Sequence, residues 1–278
     1  MSPGIAKIHD NKIAVMPTCD SVLTKAKDLA AKLYLPLIKQ DHINQCFSFL
    51  LAVTLDRLEL RETKTKHTKP IFVDFLAPSI NYRIKYGGGK KQLIARAIGI
   101  KNQQGLSVID ATAGLGIDAF VLASLGCEVM MLERSPIISV LLEDGLERLK
   151  KNSQINNYKI NLHTTQSIDY INKVLQGRFK KPDIIYLDPM YPKRTNSALN
   201  KKTMGVLHEL VGDDNDAPQM LGAALKCAKN RVIIKRPRHA DYLGKLEPNL
   251  QLSSGGSSRY DIYFIKKKQK EKYALTHN

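Results

Sequence analysis

Several features are missing from this chain, and each absence closes off a class of function. The cysteines are few and scattered (Cys19, Cys46, Cys127, Cys227), with no Cys-x-x-Cys pair and no histidine at ligand spacing. That excludes a disulfide scaffold and a structural zinc site, predicts reduced and mostly buried thiols, and gives no reason to expect a metal. No stretch approaches the roughly 18 unbroken apolar residues of a membrane helix, and the opening residues lack the charged-then-apolar order of a signal peptide. The expectation is therefore a globular protein of the cytoplasm. No internal repeat is evident, and low-complexity sequence is limited to residues 253–258, read as a mobile loop. Acids are also in short supply. With 26 Asp and Glu against 43 Lys and Arg, the formal charge is +17, which points to a polyanionic partner.

What is present is enough for a full core. At 278 residues and 43% hydrophobic content, the chain suits one large domain and a smaller one. Residues 1–105 read as a small α/β domain. It has strands at 13–16, 49–54, 58–61 and 71–75 and an amphipathic helix at 21–34 capped by Asp20 or Ser21. Residues 81–91 hold two tyrosines, four cations and three consecutive glycines before a helix at 92–98. They read as a flexible loop that contacts phosphates or a cofactor, with Arg83 and Lys85 as RNA contacts. From residue 106 to 278, strands at 108–111, 128–132, 160–164, 183–187, 231–235 and 260–265 alternate with helices at 118–125, 136–152, 168–175 and 218–228. Such alternation predicts an α/β, Rossmann-like domain with a mostly parallel sheet covered on both faces and ligands at the carboxyl ends of its strands.

The stretch Ser107-Val108-Ile109-Asp110-Ala111-Thr112-Ala113-Gly114-Leu115-Gly116-Ile117-Asp118 reads as strand, Gly-rich loop and helix. Gly114 and Gly116 have no Cβ to block a close ligand, and the helix behind them offers free N–H groups. The spacing is Asp-x-x-x-Gly-x-Gly, not the Gly-x-Gly-x-x-Gly of dinucleotide enzymes. A second acid, Glu133, closes the next apolar run, where a carboxylate can accept both ribose hydroxyls of a nucleoside. Together these features resemble the S-adenosylmethionine site of Rossmann-like methyltransferases. Gln166 and Ser167 follow the third strand, where this fold contacts an adenine ring. Asp118 is either a helix cap or a cofactor contact, and Arg134 is equally open.

The second informative stretch is Tyr186-Leu187-Asp188-Pro189-Met190-Tyr191-Pro192, an apolar strand that ends in an acid and breaks at two prolines. It resembles the Asp-Pro-Pro-Tyr signature of methyltransferases that modify exocyclic amines of bases. Such an amine is a poor nucleophile because its lone pair is delocalised into the ring. Asp188 and the Pro189 carbonyl can accept its two N–H bonds and stabilise the developing positive charge, while Tyr191 stacks on the unstacked base. Lys193, Arg194, Lys235 and Arg236 sit at carboxyl ends of strands and fit phosphate contacts.

The ordered set of these motifs, with Ile71-Phe72-Val73-Asp74-Phe75, Tyr82-Arg83, Gly87-Gly88-Gly89, Leu132-Glu133-Arg134, Lys235-Arg236-Pro237 and Arg259-Tyr260-Asp261-Ile262-Tyr263, resembles the ribosomal RNA small subunit methyltransferase J family. The resemblance implies methylation of the exocyclic N2 of a guanine in 16S ribosomal RNA, or in the small subunit, with S-adenosylmethionine as donor. It also implies cofactor contacts at Ile117, Asp118, Glu133, Arg134, Gln166, Ser167 and Asp188, beside Asp110, Gly114 and Gly116 from the loop. Ile117 stands where the family usually has an arginine, so only its backbone serves there. An adenine-N6 methyltransferase and a non-catalytic RNA-binding or ribosome-assembly protein stay open as alternatives. A nicotinamide dehydrogenase is disfavoured by the missing third glycine.

If the positive excess serves RNA, affinity for a single strand should fall with salt at a log–log slope of about −0.7 per phosphate neutralised. Fluorescence anisotropy across a salt series measures this, and a flat dependence would leave the charge as a matter of solubility alone.

Overall fold

Apolar runs build two sheets, and their order in the chain decides where a crevice opens. The computed structural model describes residues 12–39, 47–64, 69–100, 105–152, 158–190, 198–212 and 214–265, with backbone alone for 198–204. The smaller sheet pairs β1 (Ile13–Pro17) parallel to β2 (Phe49–Val53), and β2 antiparallel to β3 (Leu58–Glu62). Every residue of β2 is buried, as a central strand requires. Helix α1 (Leu23–Leu33) makes the crossover between β1 and β2 and buries Ala26, Ala30 and Leu33, one stripe at helical spacing.

Two sequence expectations fail in the next segment. Residues 71–75 do not form a strand: Ile71 alone bridges Leu60, with both N–H···O bonds at 2.8 Å. Val73 and Phe75 are instead buried as core plugs, Phe75 against Phe120 with ring centroids 4.8 Å apart. Residues 81–86 are not loop but the greater part of α2 (Pro78–Tyr86). Pro78 in the first turn presets the helical φ, and Ile80 and Ile84 supply an apolar stripe that packs on the core. The glycines only end this helix.

Helix α3 (Leu93–Ile98) stops at Gly99 in the left-handed region and packs across the far end of the large sheet. There the Arg231 guanidinium donates to the Ala97 carbonyl at 3.0 Å. The division expected after residue 105 is therefore not a boundary in packing. One buried cluster runs from Ile13 through Ile94 and Ile98 to Ile262.

The large sheet has the order β6-β5-β4-β7-β8-β10-β9. Its strands are β4 (Ser107–Asp110), β5 (Glu128–Glu133), β6 (Ile160–Thr164), β7 (Ile184–Leu187), β8 (Arg231–Pro237), β9 (Leu250–Ser253) and β10 (Ser258–Phe264). Strands β4 to β8 run parallel, and β10 lies antiparallel between β8 and β9. Residues 253–258, expected as a mobile loop, hold the turn of the β9–β10 hairpin. The helices are α4 (Ile117–Ser124), α5 (Pro136–Lys151), α6 (Ser167–Leu175), α7 (Ala198–Val211) and α8 (Ala217–Cys227). Among the described residues no helix is long and apolar enough to cross a membrane. The connections leave β4 towards β5 on one side, and β7 continues the sheet on the other. The strand order thus reverses at β4 and β7, which opens a crevice at their carboxyl ends.

Helix α5 shows how tightly the two parts are joined. Ser135 caps it by accepting the Ile138 N–H, Pro136 occupies its first turn, and Arg148, Lys150 and Lys151 lie in its last. Midway, Gly145 lets Val73 come so near that an added Cβ would meet Val73 Cγ1 at 2.5 Å. Alanine ordinarily favours a helix over glycine by about 1 kcal/mol. Here overpacking against a stiff, buried valine, worth roughly 1–3 kcal/mol, reverses the sign. Gly145→Ala should therefore lower unfolding stability in a urea titration, whereas an increase would show that Val73 gives way freely.

Candidate active site

A cavity of about 460 Å³ lies at the carboxyl ends of β4, β5, β7 and β8, within the range of small-molecule sites. Its floor is the loop after β4. Asp110 closes that strand and accepts the Thr112 N–H at 3.1 Å, while Thr112 Oγ1 accepts the Asp188 N–H at 2.6 Å. Two loops 76 residues apart are thereby tied together. Gly114 has a positive φ, and a Cβ there would point into open space. Gly116 also has a positive φ, but its Cβ would meet Leu142, Phe75 and Met131 within 3.2 Å. Gly116, expected as a cofactor contact, is instead a packing requirement that fixes the turn into α4 and does not line the cavity.

Glu133 ends β5 and is buried. Its Oε2 accepts the Gly114 N–H at 3.1 Å and its Oε1 the Ser135 N–H at 2.7 Å. A carboxylate has about four lone-pair sites, so each oxygen retains one that can face a ligand. Burial pushes Glu133 up to about 7 against the two backbone donors. Burial likewise lifts Asp110 to about 8, helped by the charges of Asp118 and Asp188 and opposed by the Thr112 N–H.

Opposite this wall stands a charge cluster. Asp118 Oδ1 accepts Arg83 Nη2 at 2.9 Å, and its Oδ2 accepts the Tyr186 hydroxyl and the Lys235 ammonium, each at 2.8 Å. Lys235 also donates to Asp188 Oδ2 at 2.8 Å. Burial raises Asp118, but Lys235 and Arg83 outweigh it and hold the carboxyl below its ordinary range. Asp188 is left somewhat above its own, because burial and Asp118 prevail over Lys235. The ammonium between them is held well above its ordinary value by the two acids, despite burial. On the remaining side Leu207, Val211, Met190 and Met220 form an apolar wall. Asp214 anchors it by accepting the Met190 N–H at 2.6 Å and pairing with Arg134 Nη2 at 2.7 Å.

The cavity lining thus includes Arg83, Asp110, Gly114, Ile117, Asp118, Glu133, Arg134, Gln166, Ser167, Asp188 and Lys235. Several expected roles change. Ser167 commits its hydroxyl proton to the Ala111 carbonyl at 2.6 Å, which ties α6 to the β4 loop. Arg83 and Lys235, expected on phosphates, are turned inward onto Asp118 and Asp188. Arg236 is buried, with its guanidinium on the Asp241 carbonyl, so it is no RNA contact. Alternation along a strand explains this, because Lys235 and Arg236 face opposite sides of β8. Pro189 and Lys85 lie outside the cavity lining, and Tyr191, Lys193 and Arg194 lie outside the described residues. Sequence reasoning missed Thr112, Tyr186 and Asp214. The first two sat inside motifs already singled out, while Asp214 carried only the weak signal of acids in a basic chain.

An acid between two backbone donors, an open glycine beside it and a cavity of this size fit a nucleoside-bearing cofactor with a cationic centre. Comparison with known proteins agrees. The family model for SAM-dependent methyltransferases matches residues 32–265. The ribosomal RNA small subunit methyltransferase J of Coxiella burnetii (strain RSA 331 / Henzerling II) is 45% identical over 257 residues, spanning 92% of this chain and 98% of that protein. Its counterpart from Nitrosococcus oceani is 43% identical over 243 residues, 87% of this chain and 94% of its own. Among solved structures, a SAM-dependent methyltransferase from Neisseria gonorrhoeae superposes with a TM-score of 0.69 at 32% identity. That match covers 95% of this chain and all of the other.

The raised carboxyls make stability depend on pH. The native protein keeps the Glu133 proton up to about pH 7, whereas an unfolded chain releases it near the ordinary glutamate value of about 4.3. Stability of the ligand-free protein should therefore fall as pH rises through that interval. Glu133→Gln replaces the titrating carboxyl with an amide that stays neutral at every pH in this range. Its stability relative to wild type should climb with pH by up to about 1.4 kcal/mol per unit. Parallel urea-denaturation curves for the two proteins between pH 5 and 7 would return Glu133 to an ordinary carboxyl.

Proposed function

The chain belongs to the ribosomal RNA small subunit methyltransferase J family of SAM-dependent methyltransferases, and from that premise we propose that it methylates the exocyclic N2 amine of a guanine in 16S ribosomal RNA. Such a substrate is met in the cytoplasm, as naked RNA or within the small subunit.

The observation that carries this reading is the state of Asp188 at the cavity. Its backbone is fixed by Thr112 and its Oδ2 by Lys235, and no described residue bonds Oδ1. That oxygen faces the cavity, and the Pro189 carbonyl, just outside the lining, would supply the second acceptor for an amino group with two N–H bonds. Accepting both draws the nitrogen lone pair out of the ring and stabilises positive charge on the amine as the new bond forms. The proton then leaves to water. Lys235, donating to Oδ2, opposes the burial that raises Asp188 and leaves Oδ1 to accept from the amine. Tyr191 stacks on the guanine once it has left its neighbours, and Lys193 and Arg194 take phosphates.

Around the rest of the cavity, Asp110, Gly114, Ile117, Glu133, Arg134, Gln166 and Ser167, with Asp118 beside the Lys235 cluster, would hold S-adenosylmethionine. When bound, it supplies an electrophilic methyl group on a positively charged sulfur. The acidic lining suits that cation, and Glu133 retains lone pairs for the ribose hydroxyls.

Inosine is guanosine without the N2 amine, with the same ring carbonyl and stacking face. Placed at the target position of a reconstituted small subunit, it should abolish methyl transfer while leaving binding nearly unchanged. Asp188→Ala should lower the single-turnover rate by roughly 10²–10³, with cofactor affinity measured in the same variant by calorimetry. Transfer to the inosine substrate, or N6-methyladenosine in the digested product, would overturn the guanine-N2 assignment.

A further inference from the structure

We propose that the outward face of α2 is a stacking platform for the unpaired bases beside the target guanine, a proposal that rests on the RNA reading above. At 100° per residue, Ile80 and Ile84 share one side of this helix and pack on the core. Tyr82, Lys85 and Tyr86 fall on the opposite side. Tyr82 and Tyr86 are 66% and 71% exposed, yet their rings touch each other, with centroids 5.1 Å apart. Two adjoining aromatic rings turned away from the core contribute little to folding and present a π surface to solvent.

Three observations select single-stranded RNA as the occupant. The platform is interleaved with cations: Lys85 lies between the tyrosines and exposed Lys91 follows the glycines. Lysine is depleted at protein–protein interfaces, whereas cations alternating with aromatics track a strand by binding phosphates and stacking bases. The platform also adjoins the active site. Arg83 projects from the flank of the same helix into the cavity and holds Asp118, so α2 is part of the cavity rim. Finally, the chemistry creates the need. A guanine entering the cavity leaves its neighbours without a stacking partner, and tyrosines at the rim restore one.

Arg83 adds a consequence. RNA held on Tyr82 and Tyr86 bears on the helix whose arginine orients Asp118, so substrate docking and the Asp118–Lys235–Asp188 cluster share one mechanical element.

The test uses the full-length protein and a short guanine-containing single-stranded RNA, with affinity measured over a salt series. The double variant Tyr82→Ala/Tyr86→Ala should bind about 100-fold more weakly, roughly tenfold per stacked base, with an unchanged salt slope. Tyr82→Phe/Tyr86→Phe should bind like wild type. Lys85→Ala/Lys91→Ala should instead flatten the slope, by about 0.7 for each phosphate no longer neutralised. S-adenosylmethionine affinity should be the same in all of them. Wild-type RNA affinity in the alanine pair would overturn the platform, as would a defect confined to whole small subunits, which would point to a protein partner. If wild type binds the cofactor but neither this RNA nor the small subunit, the functional reading itself fails, a result distinct from either.

Discussion

The ammonium of Lys235 lies 2.8 Å from a carboxyl oxygen of Asp118 and 2.8 Å from one of Asp188. Much of the site depends on this double contact. A partly buried charge left alone costs several kcal/mol, and two acids brought together without a cation would drive one of them neutral. Placed between them, Lys235 lets both stay near the cavity and ties the carboxyl ends of β7 and β8 to the start of α4. Arg83 extends the same network to α2, and Tyr186 anchors it from beneath. Helix, strands and loops that share no local sequence are held in one register by a few charge-assisted bonds.

This cluster also resolves an apparent conflict in the composition. The chain as a whole is strongly basic, yet among the described residues its cavity gathers Asp110, Asp118, Glu133, Asp188, Asp214 and Asp216 around Arg83, Arg134 and Lys235. The exterior suits a polyanion and the interior suits a cation. A methyltransferase acting on RNA needs both, because its nucleic acid is negative and its methyl donor carries a sulfonium. Sorting the charges by depth also keeps phosphates away from the carboxylates at the reacting centre.

Close backbone approach supplies the second constraint. The turn at Gly116 leaves no room for a side chain among Leu142, Phe75 and Met131, and Gly145 seats Val73 against α5. The segment carrying Val73 and Phe75 is thus pressed beneath the loop that forms the cavity floor. The small sheet and the large one are joined there through a continuous core.

Much of the organisation was legible in the amino-acid sequence because it is local. Apolar runs ending in Asp110, Glu133 and Asp188, a glycine turn at 114–116 and helical spacing after each are short-range patterns set by backbone geometry. They determined the alternating fold, the crevice and the acids that face it. Two local readings still went astray. Glycines and lysines after residue 86 masked the helix α2, and an apolar run at 71–75 looked like a strand although it plugs a core. What only the tertiary structure decided is which charge meets which. Lys235 and Asp118 are 117 residues apart, and nothing near Lys235 in the chain distinguishes it from Arg236. Yet one reaches into the cavity and the other is buried on the far side of the same strand. That choice follows from the pleat of β8 and from its position next to β7, which no local pattern encodes.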